Sequence, residues 1–208
     1  MKLTNVLHVF LGVFLLCGIT ASAEVLTFDD LSDSGSGTPI ASPYHGLNWT
    51  NFYVLNTPDF TTNFGPSGYA NGTVSGPNVA FNGGGLSAMT MDPFNFNSAY
   101  FTGAWNDGLD ITIVGKLGGV TEDITSFTVN TSGPTLETFN WTNIDELDFS
   151  SAGGTPHAGY NGAGTQFAMD NMTINENVAT PEPRLLLFLI VGLACMVGVQ
   201  RLRMAKNV

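Results

Sequence analysis

The chain has 208 residues, of which 43% are hydrophobic, so it is long enough and apolar enough to bury a core. Its formal net charge is −11, but charge is unevenly placed: between residues 24 and 183, one lysine (Lys116) against 17 acids leaves −16. A surface this acidic repels phosphate backbones, which excludes nucleic acid as an expected partner. Both cysteines, Cys17 and Cys195, lie in apolar segments near the two ends, so the middle of the chain has no disulfide framework.

The N-terminal segment, residues 1–23, has the pattern of a secretory signal peptide. Lys2 supplies a short basic region, an apolar stretch follows, and Ala21-Ser22-Ala23 is the small-x-small pattern that signal peptidase accepts. A lipoprotein signal with Cys17 acylated is disfavoured, because the residue before that cysteine is not small. We therefore predict export and cleavage after Ala23, which leaves a mature protein that begins at Glu24.

The middle of the chain, residues 24–178, is predicted to be one all-β domain. It has no sustained helical spacing of apolar residues, and glycine, asparagine, threonine and serine divide it into short runs. In Leu109–Ile113, apolar and polar residues alternate, as in a strand with one buried face. Gly118-Gly119 predicts a hairpin turn, because glycine adopts the positive φ that such turns need. About nine strands of this kind predict a β-sandwich or jelly roll. The candidate strands are 25–28, 47–55, 78–81, 99–105, 109–117, 120–129, 136–141, 146–149 and 167–174.

Two pairs of polar residues raise the possibility of a metal site. Asp29 and Asp30 follow the first predicted strand, and Asp170 and Asn171 lie within the last one. The first and last strands of jelly rolls are commonly neighbours, so these groups could share a hard cation such as Ca²⁺ through carboxylate and amide oxygens. The alternative is that all four residues cap backbone amides in turns or at strand edges.

The segment Trp105-Asn106-Asp107-Gly108 has two interpretations. Asp107-Gly108 between two strand-like runs is typical of a tight turn. Alternatively, Trp105 could stack on a sugar ring while Asn106 and Asp107 hydrogen-bond to its hydroxyls. Other aromatic residues offer further platforms, although large aromatic residues in strands usually belong to the core. These are Tyr44, Trp49, Tyr53, Tyr69 and Trp141.

The sequence does not favour an enzyme. The middle of the chain has two histidines, His45 and His157, and it has no cysteine nucleophile, G-x-S-x-G elbow or H-E-x-x-H pair. The acids Asp145, Glu146 and Asp148 could serve a glycosidase, but acids this close in sequence more often form a solvated strand face or a turn. We therefore predict a protein without catalytic residues.

The C-terminal segment, residues 179–208, contains a candidate membrane helix over residues 185–200. A helix over its purely apolar part, residues 185–199, would be about 22 Å long, compared with a hydrocarbon core of about 30 Å. Arg184 and Arg201 can extend their charges to the two interfaces, so a thin bilayer would accept this helix. The basic residues after the helix outnumber those before it, which predicts a cytoplasmic C-terminus and an ectodomain outside the cytoplasm.

Pro181-Glu182-Pro183, a short apolar helix and a basic tail together resemble the PEP-CTERM sorting signal of bacterial exosortase substrates. The same region is also known under the label of an ice-binding protein C-terminal domain. The resemblance implies temporary anchoring in the inner membrane and recognition of Pro181, Glu182 and Pro183 by exosortase, a membrane transpeptidase. Segments of the middle, such as "FNSAYFTGAWNDGLDITIVG", resemble the jelly-roll-like ectodomains of such proteins, many of which come from bacteria that make exopolysaccharide or biofilm matrix.

The sequence thus leads to two functional expectations. The first is an exported protein of the cell envelope or extracellular matrix, sorted by exosortase, with a structural or adhesive role. The alternative is a carbohydrate-binding module that contacts extracellular polysaccharide and uses Ca²⁺ as a stabilising ion.

Overall fold

A computed structural model describes residues 23–33, 35–84 and 86–176. The predicted signal peptide up to residue 22 and the predicted sorting segment, residues 179–208, lie outside the described residues, so both stay predictions. No helix in the described part of the chain is long and apolar enough to cross a membrane. The described elements are β1 Glu24–Leu26, β2 Thr38–Pro39, β3 Asn48–Thr50, β4 Phe52–Asn56, α1 Thr57–Phe64, α2 Gly68–Asn71, β5 Asn78–Asn82, β6 Ser87–Gly103, β7 Asn106–Leu117, β8 Val120–Val129, β9 Thr135–Pro156 and β10 Phe167–Ile174.

The predicted all-β class is confirmed: every strand pair is antiparallel, and the main path runs β2-β4-β5-β10-β6-β9-β7-β8. The long strands β6 and β9 belong to two layers. The second half of β6 pairs with β10, whereas its first half pairs with β3, and β9 follows β6 along both halves. Register shifts between Thr90 and Ser98 mark the corner at which both strands change layer.

The core lies between the two layers of this sandwich. Phe52 of β4 contacts Phe149 of β9 with ring centroids 5.2 Å apart, although these strands are not hydrogen-bonded neighbours. Phe101 of β6 contacts Phe127 of β8 across the same interior, with centroids 5.0 Å apart. The alternation of apolar and polar residues along a strand explains this packing. In β7, Leu109, Ile111 and Ile113 are fully buried, while the residues between them face outwards.

The helices α1 and α2, which the sequence pattern did not predict, cover the outer side of one layer. Asn56 caps α1 through its side-chain oxygen, which accepts a hydrogen bond from the backbone N–H of Asp59. A second hydrophobic cluster lies between these helices and the strands beneath them. Its buried members are Leu55, Tyr69, Val79, Ala104 and Ala168.

The predicted hairpin is confirmed, since Gly118 and Gly119 connect β7 and β8 with φ values of 58° and 79°.

The predicted turn at Asp107-Gly108 is wrong. The chain turns at residues 104 and 105, and β7 already begins at Asn106. Gly108, with φ 69°, lies inside β7, where its positive φ belongs to an irregularity of the strand.

The first and last strands are neighbours, as the sequence predicted. Glu24 of β1 lies opposite Ile174 of β10, so both ends of the described domain lie together at what we call the terminal end. Asn97 fixes the chain just after β10, because its side chain hydrogen-bonds to both the N–H and the C=O of Glu176. β10 spans eight residues, or about 25 Å, from Phe167 to Ile174. We call the end of the domain at Phe167 the loop end.

Candidate functional site

Asp107 organises a polar cluster at the loop end. Its Oδ1 accepts hydrogen bonds from the backbone N–H of Thr131 at 2.9 Å and from the Thr131 hydroxyl at 2.7 Å. Its Oδ2 lies 2.6 Å from Nδ1 of His157. β7 supplies Asp107, while Thr131 follows β8 and His157 follows β9, so one carboxylate joins three segments that are distant in sequence.

These donors stabilise the charged form of Asp107. Hydrogen bonds from the backbone and side chain of Thr131, followed by the one from His157, lower the pKa of Asp107 to about 2. The Asp107 side chain keeps 41% of its surface exposed, so the carboxylate is ionised and accessible to solvent at neutral pH.

Tyr160 and Asn71 extend this cluster. The Tyr160 ring lies over His157 with centroids 4.4 Å apart. Nδ2 of Asn71 donates to the Tyr160 hydroxyl at 3.0 Å and to the carbonyl of Thr131 at 2.9 Å. The result is a continuous, partly exposed surface with one carboxylate, one imidazole, one phenol and one amide. We call Asn71, Asp107, His157 and Tyr160 the loop-end cluster.

Of the three predicted sugar-binding residues, Asn106 is buried and Trp105 is half-buried. Trp105 is half-buried, with its ring 5.5 Å from that of Tyr69 and 6.5 Å from that of Tyr160. Gly162 covers the indole so closely that a Cβ there would lie 2.5 Å from the ring. Asn106 points inwards, and its Nδ2 donates to the carbonyl of Gly153 at 2.9 Å. Of Trp105, Asn106 and Asp107, only Asp107 contributes its polar group to the exposed cluster.

His157, Tyr160 and Asn71 were not predicted as partners of Asp107. They lie 50, 53 and 36 positions away from it, which follows from the residue numbers. Asp107 alone carried a local signal, a polar residue beside a tryptophan. The pairing of β7 with β9, which sets Asn106 opposite Pro156, is what brings His157 next to Asp107.

The predicted metal ligands lie beside the loop that follows α2, where β10 changes partner from β5 to β1. Asp170 is fully buried, and its Oδ2 accepts from the backbone N–H groups of Val74 at 2.7 Å and Ser75 at 3.0 Å. Its Oδ1 accepts from the N–H of Asn171 at 2.7 Å. Asp170 therefore anchors the loop that follows α2 to the last strand.

Three of the four predicted ligands meet around Ser75. The Ser75 hydroxyl donates to Oδ1 of Asn171 at 2.6 Å and lies 3.4 Å from Oδ2 of Asp29, whose Oδ1 accepts from the N–H of Asn78. Asp30 turns away from this group, since its Oδ1 accepts from the Tyr44 hydroxyl at 2.7 Å.

Burial dominates the titration of Asp170. It raises the pKa of this carboxyl to about 6 despite three backbone hydrogen bonds, and the nearby charge of Asp29 acts in the same direction. Within the described residues no three His, Cys, Asp or Glu side chains are arranged to hold a metal ion. The oxygens of Asp29, Asp170 and Asn171 are of the type that Ca²⁺ prefers, and donors of the 74–78 loop already engage them.

The acids suggested for a glycosidase have structural partners. Nζ of Lys116 lies 2.7 Å from Oε1 of Glu146 and in closer contact with Asp148. Both carboxylates raise the pKa of Lys116, with Asp148 the larger cause. Oδ2 of Asp145 accepts from the N–H of Gly118 in the β7–β8 turn at 2.8 Å. These three acids thus fix the β7–β9 pair and its hairpin.

Comparisons with known proteins give distant structural similarity. No family model and no curated protein matches the chain. A DUF4465 family protein from Bacteroides caccae is 13% identical, with a TM-score of 0.49, covering 74% of this chain and 98% of its own. A DUF4465 family protein from Bacteroides ovatus is 10% identical, with a TM-score of 0.46 over 76% of this chain and 90% of its own. TmCBM61 in complex with beta-1,4-galactotriose is 9% identical, with a TM-score of 0.36 over 64% of this chain and 88% of its own. Similarities this distant do not assign a function to this chain.

Proposed function

We propose that this protein is exported, is held in the inner membrane by its C-terminal segment, and is sorted by exosortase to the cell envelope or extracellular matrix. Its role there is structural or adhesive. One structural observation supports the proposal: β1 starts at Glu24, directly after the expected cleavage site, and pairs with the last strand. The described domain therefore begins and ends at the terminal end, which is compatible with processing on both sides of it.

Intact-mass measurement of the exported protein, with and without exosortase, tests this proposal. We expect a chain that starts at Glu24 in both samples and loses its tail only when exosortase is present. Glu182→Gln should block tail removal, whereas Glu176→Gln, an equal charge change outside the Pro-Glu-Pro motif, should leave it intact. A tail retained in both wild-type samples, or removed equally in both, would refute sorting by exosortase.

A second candidate function is carbohydrate binding at the loop-end cluster. The observation that favours it is the exposed combination of Asp107, His157, Tyr160 and Asn71, which offers a ring face together with planar hydrogen-bonding groups. Since the loop end lies about 25 Å along β10 from the terminal end, a tethered domain would present this cluster away from its attachment.

A glycan array with the purified exported protein tests this second function. We expect at least one glycan to bind the wild type and to be lost in His157→Ala. His45→Ala is a matched control, because His45 also contacts an acid, Glu24, but lies at the terminal end. Binding that survives His157→Ala, or that falls equally in both variants, would contradict a site at the loop end.

Calcium is part of this second proposal, with Asp29, Asp170 and Asn171 as its ligands. A cation bound to the folded state must stabilise it, by about 2.7 kcal/mol when its concentration is 100 times its Kd. Thermal melting with a chelator, and then with added calcium, measures this directly. A melting midpoint that is the same in both conditions would rule out the ion, and the cluster would then serve only to anchor the 74–78 loop.

A further inference from the structure

The outer face of the β7–β9 pair has a shallow depression that the proposed functions do not use. It has a cavity volume of about 100 Å³ and is lined by Asp110, Thr112, Ser150, Ser151 and Ala152. Ligand pockets for drug-sized molecules have about 300–1,000 Å³. The depression is therefore suited to a small part of a ligand, such as the amino group and neighbouring hydroxyls of one sugar ring in a longer chain.

Strand register places these polar groups together. Asp110 lies opposite Ala152, and Thr112 lies opposite Ser150, in the β7–β9 ladder. The neighbouring residues of β7 are buried, so Asp110 and Thr112 must face outwards. A carboxylate and two hydroxyls consequently point to the same side of the sheet within two residue pairs.

Asp110 is held with one oxygen directed along the sheet and the other towards Gly153. The Thr128 hydroxyl donates to its Oδ1 at 2.6 Å, which fixes the carboxylate. Its Oδ2 lies 3.8 Å from the position that a Cβ would take at Gly153, which is an ordinary van der Waals distance. The Thr112 hydroxyl is fixed in a similar way by Ser126 of β8, at 2.7 Å.

The charge of the domain indicates the type of ligand. Lys116, the one lysine or arginine between residues 24 and 183, is paired with Glu146 and Asp148, and the histidines His45 and His157 contact acids. The electrostatic potential at the surface is therefore negative, which attracts cations and repels uronate or sulfate groups. None of the five lining residues is aromatic, so recognition there depends on charge and hydrogen bonds rather than on stacking.

From these observations we propose that the depression binds a protonated amino sugar, with the ammonium group on Asp110 and ring hydroxyls on Thr112 and Ser150. The physiological ligand would be a polysaccharide with free amino groups. The proposal rests on the carbohydrate-binding function and deepens it by naming a ligand class. It also adds a site, since the depression lies on the sheet face rather than among the loop-end residues.

The test is calorimetric titration of the full-length exported protein in detergent, at low ionic strength and mildly acidic pH. The probes are a glucosamine hexasaccharide, its fully N-acetylated counterpart and hexalysine. We expect the amine form to bind about tenfold more tightly than the acetylated form, because a charged hydrogen bond is lost on acetylation. Asp110→Asn should weaken binding of the amine form about tenfold, whereas Glu122→Gln, an equal charge change on exposed β8, should change it less than about twofold.

Several results would overturn this inference. These are equal binding of both sugars, equal losses in Asp110→Asn and Glu122→Gln, or hexalysine that binds as tightly as the amine sugar with the same dependence on Asp110. If sugar binding is lost in His157→Ala and kept in Asp110→Asn, the depression is not the site while the loop-end function stands. Ser150→Ala, an exposed hydroxyl deletion that should weaken binding about threefold, decides the matter if Asp110→Asn does not fold.

Discussion

Asp107 and Asp170 both anchor loops with three hydrogen bonds, yet their pKa values move in opposite directions. Asp107 keeps 41% of its side-chain surface exposed, and the hydrogen bonds from Thr131 lower its pKa to about 2. Asp170 is fully buried, and loss of solvent raises its pKa to about 6 although three backbone N–H groups donate to it. The difference shows that the number of hydrogen bonds does not set the sign of the shift, because burial can outweigh it.

Removing the buried carboxylate should have the largest effect. Asp170→Ala leaves the N–H groups of Val74 and Ser75 without their acceptor, so we expect a loss of about 4 kcal/mol in the free energy of unfolding. Asp92→Ala, on an exposed part of β6, should cost less than about 0.5 kcal/mol. Denaturant unfolding measures both. Equal stabilities of the two variants would show that Asp170 does not anchor the loop.

The two aspartates should also differ in how they make the free energy of unfolding depend on pH. The pKa of Asp170 rises on folding from 3.8 to about 6, so its contribution is fully present below pH 4 and is lost as pH rises through 6. At about 1.4 kcal/mol for each unit by which the two pKa values differ, the contribution that is lost amounts to about 3 kcal/mol. The contribution of Asp107 has the opposite sign, being present above pH 4 and lost as pH falls towards 2.

Unfolding measured from pH 4 to pH 7 tests this in wild type and in Asp170→Asn. We expect the variant, which has no titrating group at this position, to lose the decline between pH 4 and pH 6. A wild-type protein that becomes more stable over the same interval would show that the charged form of Asp170 is favoured, as a bound cation would cause.

Packing at the loop end should have an intermediate effect. In Gly162→Ala the new methyl group would lie 2.5 Å from the Trp105 ring, so the covering loop must move. We expect a loss of about 2 kcal/mol and a changed near-ultraviolet circular dichroism spectrum. Gly133→Ala is the control, because nothing lies within 4 Å of a Cβ there. An unchanged spectrum for Gly162→Ala would mean that this loop does not hold the indole.

The smallest effect is expected at the exposed aspartate. His157→Ala removes one partner of Asp107, but the contact is open to solvent, so stability should fall by less than about 1 kcal/mol. The pKa of Asp107 should stay below its ordinary value, because the two hydrogen bonds from Thr131 are the larger causes. Carboxyl NMR titration measures that pKa. A return to the ordinary value would assign the shift to His157 instead.

Sequence periodicity alone determined the all-β class and several complete elements. The predicted limits of β8 and β10 agree with the structure, and the double glycine correctly predicted the hairpin. The first half of β6 was missed, because Met91-Asp92-Pro93 interrupts alternation and a proline cannot donate to a ladder. The structure accommodates that proline at a register shift between Thr90 and Phe94.

What only the tertiary structure decided is which polar residues meet. The sequence drew attention to Asp29, Asp107 and Asp170, since acids beside strand-like runs are visible locally. It did not indicate that Asp107 meets His157 or that Asp170 meets Val74, because these contacts depend on strand order and loop path. The outward or inward direction of each side chain follows from strand alternation, a local property, whereas the partners that shift its pKa come from pairing between distant segments.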